Sequence, residues 1–360
     1  MNLANFTLQS FRFVLLPVSI LYGLIIRMRN FCFDKKWLPS TSFNFPIICI
    51  GNLSVGGTGK SPMIEFLVRH LSPHYKITTL SRGYKRKTKG YLLANEQTTA
   101  LEIGDEPMQF HLKFPDIHVS VCEKRVLAIP HILQDVPETE LILLDDAFQH
   151  RAITPGFSIL LTEQSDLFTR DFYLPTGNLR DEKSSYKRAN IIIVTKCDEN
   201  LNQEQKNKLI REIRPTAQQQ IFFSSIEYGK PYHILNQNNI KVPDDNTDVL
   251  LVTGIANIHP LKKILQEQAH GYDQLSYGDH HIYTLDDMNE IESRYKKLKG
   301  DSRMILTTEK DAVRLVKFKQ YLNDLPMYVL PIQHKILFNE ANIFVDRVRS
   351  FVDSFEKKLS

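Results

Sequence analysis

At 360 residues and 42% hydrophobic content, the chain is long enough for two α/β domains or one large one, with real buried cores. Its 45 basic residues are nearly balanced by 41 acidic ones, and the net charge of +4 argues against nucleic acid as the main partner. Cys32, Cys49, Cys122 and Cys197 lie far apart with no C-x-x-C pair, which excludes a disulfide framework and a cysteine zinc site and suits a reducing compartment.

The first element is basic and apolar. Residues 1–40 carry Arg12, Arg27, Arg29, Lys35 and Lys36 against Asp34 alone, and the run 13–26, FVLLPVSILYGLII, has no charge. A spanning helix needs about 20 apolar residues, so this run is short for one. It also lacks the small-residue cleavage site of a signal peptide, because Arg27-Met28-Arg29-Asn30-Phe31 is basic and bulky. Two readings stand: a plain buried helix, and the one we prefer, a helix lying in the membrane interface on the cytoplasmic side with its arginines on anionic head groups.

Next comes the stretch that organises the chain. Residues 46–50 form an apolar run of buried-strand type, and Ile64, Leu67, Val68 and Leu71 have the spacing of a helix with one apolar face. Between them, 51–62 reads GNLSVGGTGKSP. Gly56, Gly57 and Gly59 let backbone N–H groups turn toward an anion at the helix N-terminus, where the macrodipole favours negative charge. Lys60 would reach β- and γ-phosphates and Ser61 would offer a hydroxyl to Mg²⁺. Ser54 stands where the pattern G-x-x-x-x-G-K-[ST] has its first glycine, a departure from the usual loop.

Strand-like runs recur at 76–80, 117–122, 141–144, 158–162, 191–195, 220–224, 249–253, 304–307 and 327–330, with helix-length gaps that predict parallel sheets covered on both faces. After the run at 76–80, Arg82 could pair with phosphate through a bidentate guanidinium, while Lys85, Arg86 and Lys87 read as a solvated basic loop. Asp105 precedes Pro107, and spacing alone reads it as a helix N-cap, with a catalytic base as the other option. The run 141–144 ends in Asp145 and Asp146, the position of a magnesium-holding aspartate in a P-loop protein. Gln149 and His150 either orient substrate or cap the following turn.

Further on, 174–181, LPTGNLRD, has the composition of a surface turn and ends in Arg180-Asp181. Thr195-Lys196-Cys197-Asp198 resembles the N-K-x-D guanine reader with Thr in place of Asn, which is weak evidence for guanine. The polar stretch 236–247 reads as a linker between domains. Asp279-His280-His281 suits proton handling better than zinc, and 307–311 reads as a capped helix start. Phe344, Val348, Phe351, Val352 and Phe355 share one stripe of a final helix.

Taken in chain order, GNLSVGGTGKSP (51–62), SRGY (81–84), GDEP (104–107), DDAFQH (145–150), LPTGNLRD (174–181), VTGIAN (252–257), DHHIY (279–283) and TTEKDAV (307–313) resemble the tetraacyldisaccharide 4'-kinase family, the lipid A 4'-kinases of Gram-negative bacteria. That family likewise has Ser at the position of Ser54. It commonly has Gly where this chain has Ala147, and Glu where it has Asp181.

The resemblance implies a P-loop NTPase-like α/β fold with two α/β/α domains, mainly parallel sheets and an N-terminal membrane-interface helix. We divide the chain into an interfacial region 1–35, a P-loop domain 36–240, a smaller α/β domain 248–335 and a final helix 336–360. The implied activity is ATP- and Mg²⁺-dependent phosphorylation of the 4'-hydroxyl of a tetraacylated glucosamine disaccharide 1-phosphate, by a monomer on the cytoplasmic face of the inner membrane with no nucleic-acid partner. Carried over residue by residue, Ser54, Val55, Gly56, Gly57, Thr58, Gly59, Lys60 and Ser61 bind ATP, and Ser61, Asp145 and Asp146 hold the metal. Asp105 is the base with His280 as its partner, Lys60 and His150 are further catalytic residues, and Arg82, Gln149, Arg180 and Asp181 contact substrate. The rivals are a soluble P-loop GTPase or ATPase of the switch or metal-insertion type, and a nucleotide-binding module without turnover.

Overall fold

A computed structural model describes residues 12–255 and 258–359. Residues 1–11 of the expected N-terminal region, and Ala256 and Asn257 of the VTGIAN segment, lie outside the described residues. The strands in chain order are β1 (Ile47–Asn52), β2 (Ile77–Ser81), β3 (Leu92–Leu93), β4 (His118–Val121), β5 (Leu141–Asp145), β6 (Phe157–Glu163), β7 (Ile191–Thr195) and β8 (Gln220–Tyr228). Then follow β9 (Tyr232–His233), β10 (Asn236–Ile240), β11 (Thr247–Thr253), β12 (Gly271–Ser276), β13 (Ser302–Thr308), β14 (Met327–Leu330) and β15 (Ile332–Ile336).

They form a nine-stranded sheet of order β15-β8-β7-β6-β1-β5-β2-β4-β3 and a six-stranded sheet of order β10-β9-β14-β13-β11-β12. In the first sheet every pairing from β8 to β4 is parallel, and only the edge strands β15 and β3 run antiparallel. Strands β1, β5 and β7 are buried at every residue, which is why they read as unbroken apolar runs rather than alternating ones. One face carries the helices Lys60–Leu71 and Ala341–Leu359, whose Ile64, Leu67, Phe344, Val348 and Val352 join a single core. The other face is covered by Arg125–Asp135 and Gln203–Ile213 through Ile129, Ile132, Leu209 and Ile213. The expected stripe of the final helix therefore packs on the P-loop domain.

The division between the sheets differs from the expectation of a linker at 236–247. Strand β10 lies inside that stretch and pairs with β9, which pairs with β14, so the second sheet begins before residue 236. All five residues of β10 are exposed, and a polar edge strand has the composition of a linker. At the other end β15 leaves the second sheet and pairs with β8, from Ile332 opposite Tyr228 to Ile336 opposite Ser224. The second sheet is thus an insertion between two neighbouring strands of the first.

The N-terminal helix, Leu16–Asp34, extends well past the apolar run. Its inward stripe is Ser19, Gly23, Ile26 and Asn30, while Leu21, Leu24, Ile25 and Met28 are exposed. This inverts the pattern of a buried helix. Ser19 donates to Thr176 Oγ1 at 2.7 Å and Asn30 Nδ2 to Asp181 Oδ1 at 2.7 Å. A Cβ at Gly23 would sit 2.7 Å from the Tyr173 ring, so only glycine lets the helix approach the 174–181 loop this closely. By length and composition the helix could cross a membrane, with 22% of its apolar window buried against the protein.

Candidate active site

The site is built at the carboxyl ends of β1, β2 and β5, the place where an open α/β sheet leaves a crevice. Here the chain reverses its strand order, since β5 and β6 flank β1 on opposite sides. The loop 51–62 leaves β1, and Gly59 caps the helix Lys60–Leu71 in a left-handed conformation with φ 87°. Among the described residues, and apart from each glycine's own chain neighbours, no atom lies within 4 Å of where a Cβ would stand on Gly56 or Gly57, so the loop's crown is open to an incoming group. Beside it is a cavity of about 330 Å³ lined by residues of the loop, by Thr162 and Glu163 at the end of β6, by Asp166 and Phe168 beyond it, and by Asn178.

Lys60 Nζ lies 3.3 Å from Asn52 Oδ1 and 3.8 Å from Asp146 Oδ1. Asp146 adopts φ 45°, a left-handed backbone that aspartate tolerates better than most residues. The turn brings its carboxylate to Arg180, which grips both oxygens, one at 3.0 Å. Burial opposes ionisation of Asp146, yet Lys60 and Arg180 outweigh it and hold its pKa below the usual carboxylate range. Asp145 behaves in the opposite way. Burial, then the charges of Glu106 and Asp146, push its pKa up to about 7. Ser81 donates to Asp145 Oδ2 at 3.1 Å, and among the described residues the buried Oδ1 has no hydrogen-bond partner.

Asp105 opens the helix Asp105–Lys113 and does not cap it; Gly104 is the cap residue. Its side chain instead reaches the second domain. His280 Nδ1 is 3.1 Å from Asp105 Oδ2, and Arg314 donates to the same oxygen through Nη2 at 2.6 Å and Nε at 3.1 Å. Burial opposes the charge on Asp105, but Arg314 and His280 prevail and lower its pKa. Arg314 is in turn set by Asp311, which accepts from Tyr283 Oη at 3.1 Å, from the Gly254 N–H at 3.0 Å and from Thr308 Oγ1 at 2.7 Å. The expected capped helix start at 307–311 is real, with Thr308 accepting from the Asp311 N–H, and the segment also braces Asp105. His281 turns elsewhere: its Nε2 meets Asp287 at 2.9 Å and its ring stacks on Tyr277. Of the two adjacent histidines, His280 is the one at the site.

Three arginines surround His150. Burial first, then Arg125, Arg29 and Arg82, lower its pKa to about 4, so the ring is neutral in a cationic setting. Arg82 itself is exposed, whereas Arg86 of the basic run is tied to Glu123 at 2.7 Å. Gln149 bonds to the Asn52 carbonyl and accepts from Arg29 of the N-terminal helix. Asp181 stands apart from the expected substrate contacts. It is fully buried, held by Asn30 and by Arg188 at 2.9 Å, and so ties the N-terminal helix to the 174–181 loop. Thr195, in the position of the guanine-reading Asn, donates to the Thr58 carbonyl at 2.9 Å and faces the loop instead of a base.

The residues present fit a divalent cation of the hard, oxygen-preferring kind. Asp145 Oδ1 is a buried carboxylate oxygen awaiting a partner, Asp146 is adjacent, and Ser61 sits at the helix start. Among the described residues no group of three or more His, Cys, Asp and Glu could hold a metal. That composition suits Mg²⁺, which takes one or two carboxylates together with phosphate oxygens and water. Asn52, Arg125, Arg188 and Arg314 were not anticipated from the sequence. Arg125 is 4% exposed with Nη2 3.4 Å from the Asp145 carbonyl, and only its burial, invisible in an E-K-R run, marks it out.

Comparison with known proteins identifies the family. The family model for LpxK, tetraacyldisaccharide-1-P 4'-kinase, matches residues 11–352. A tetraacyldisaccharide 4'-kinase of Bacteroides thetaiotaomicron is 42% identical over 351 residues, covering 94% of this chain and 92% of the relative. The one from Flavobacterium johnsoniae is 43% identical over 345 residues, covering 96% and 98%. A crystal structure of LpxK from Aquifex aeolicus in complex with ATP superimposes with a TM-score of 0.72 at 27% identity, covering 94% of this chain and 99% of that one. The chain belongs to the tetraacyldisaccharide-1-P 4'-kinase family.

Proposed function

We propose that this chain transfers the γ-phosphoryl group of ATP to the 4'-hydroxyl of a tetraacylated glucosamine disaccharide 1-phosphate. The observation that carries the reading is the meeting of two domains on one carboxylate: Asp105 of the first sheet's domain faces His280 and Arg314 of the second, beside the phosphate loop and the Asp145-Asp146 pair. Such a cleft holds an acceptor hydroxyl against a donor phosphate and sheds water when it closes. Residues 54–61 receive the donor's phosphates, and the cavity beside them takes its nucleoside. Lys60 and Arg180 offset the charge that builds on the transferring group. Asp105 accepts the hydroxyl proton, with His280 fixing its orientation. Asp145, Asp146 and Ser61 would hold Mg²⁺, which when bound would supply charge neutralisation to the donor phosphates. Arg82 and His150 face the acceptor, and Gln149 secures the turn that carries His150. Asp181 is assigned to anchoring the N-terminal helix.

The test follows radiolabelled γ-phosphate from ATP into a defined tetraacyl disaccharide 1-phosphate. The expected product carries one added phosphate at the 4'-position, with ATP preferred over GTP. Nucleotide hydrolysis indifferent to the lipid, or a preference for GTP, would overturn the reading in favour of a soluble switch-type protein.

The exposed apolar face of Leu16–Asp34 lies on the membrane surface, on its cytoplasmic side, with Arg27 toward the head groups. Leu21 and Ile25 are 59% and 51% exposed, outside the helix's buried stripe. The double substitution Leu21→Glu and Ile25→Glu is expected to abolish co-sedimentation with anionic vesicles while leaving the Tm within about 2 °C. Undiminished vesicle binding would place the membrane contact elsewhere.

A further inference from the structure

We propose that His334 is a positioning residue for the phosphate-binding loop, one that fixes the Gly59 carbonyl and so aims the backbone donors of residues 58–61; this rests on reading 51–62 as the donor site. His334 lies on β15, 275 residues from Gly59 in sequence, and is 4% exposed. Its Nε2 is 2.9 Å from the Gly59 carbonyl and its Nδ1 is 3.0 Å from Ser224 Oγ. A carbonyl can only accept, so Nε2 carries the proton and Nδ1 accepts from the Ser224 hydroxyl. One tautomer satisfies both contacts. Burial lowers the pKa of the ring to about 4, which keeps it in that neutral form.

The contact falls at the loop's most constrained point. Gly59 is left-handed, and its carbonyl also accepts the first bond of the following helix, from the Met63 N–H at 3.1 Å. Two donors from opposite sides therefore lock one peptide plane. A Cβ on Gly59 would stand 2.8 Å from His334 Nε2, so the ring and the loop are in direct contact. Removing the ring leaves a buried carbonyl short of a donor and lets the plane rotate, and the amides that meet the phosphates rotate with it. A histidine that merely filled the core would affect stability and leave phosphate binding alone.

The experiment uses the full chain in the transfer assay and in thermal melts with and without ATP. His334→Ala is expected to raise the KM for ATP roughly tenfold, with the acceptor KM within about twofold of wild type, and to shrink the Tm rise caused by ATP. His334→Gln, whose amide nitrogen can reach the Gly59 carbonyl, should recover the ATP KM to within about threefold. Should His334→Ala fail to fold, His334→Asn takes its place, because it keeps a polar group near Ser224 and stops short of Gly59. An unchanged ATP KM in the Ala or Asn variant overturns the proposal, and so does equal impairment of Gln and Asn. A wild-type chain that neither transfers from ATP nor is stabilised by it counts against the donor-site reading, whereas an active wild type with an indifferent His334→Ala counts against His334.

Discussion

Lys60→Ala is expected to lower kcat about 10²–10³-fold, the scale seen when one preorganised charge is withdrawn from a developing anion. Lys60 is held for this task. Its ammonium has only 14% of its side chain exposed and is steered by Asn52 and Asp146 at the mouth of the loop. Alanine leaves the helix start intact, so the loss reads out as chemistry and not as unfolding. It also leaves Asp146 paired with Arg180, which already contacts both of its oxygens. Steady-state transfer to the lipid acceptor, with a melt as the folding control, decides the matter. A variant turning over within threefold of wild type would remove Lys60 from the mechanism.

The second large effect is at Asp105. Asp105→Asn keeps size and polarity but cannot accept a proton, and we expect kcat to fall about 10²–10⁴-fold with the ATP KM nearly unchanged. An equal loss expressed only in KM would instead mark Asp105 as a binding residue. The neighbouring Arg314 makes a pH test possible. Burial raises the pKa of Asp105, and the pairing with Arg314 and His280 brings it below the ordinary value. Removing the guanidinium in Arg314→Gln withdraws the larger of the two lowering partners and leaves burial in place, so the pKa of Asp105 rises. The ionised form then gives way to the protonated one at a higher pH. The acidic limb of the kcat/KM profile should therefore move upward in Arg314→Gln, and a limb that stays put would show that Asp105 does not govern it.

Much of this arrangement is legible in the sequence, for a physical reason. Strands covered on both faces cannot alternate, so β1, β5 and β7 announce themselves as aliphatic runs, and the motifs at their carboxyl ends inherit a location. Apart from the two-residue β9, the strands that escape notice sit at edges. β10 is wholly exposed and β15 buries only His334 and Ile336 among IQHKI, so neither carries an apolar run. Site residues divide along the same line. Gly59, Lys60, Asp145 and Asp146 depend on local backbone geometry, which leaves a local pattern. Arg314, Arg125 and His334 act on partners distant in sequence, and nothing beside them in the chain signals the encounter. Asp181 is a different case: its motif is local, but its partners Asn30 and Arg188, which tie it to the N-terminal helix, are not visible in that motif.

The insertion of the second sheet between β8 and β15 also bears on how the molecule is made. While the ribosome is still adding residues beyond 228, β8 has no neighbour on its outer side, and it stays an open edge until β15 emerges. At about 5–20 residues per second that interval lasts on the order of several seconds. The strand that closes this edge is the one bearing His334. The nascent chain therefore gains its His334 contact to Gly59 and covers the open edge of β8 in a single late event, and a premature stop before residue 332 would forfeit both.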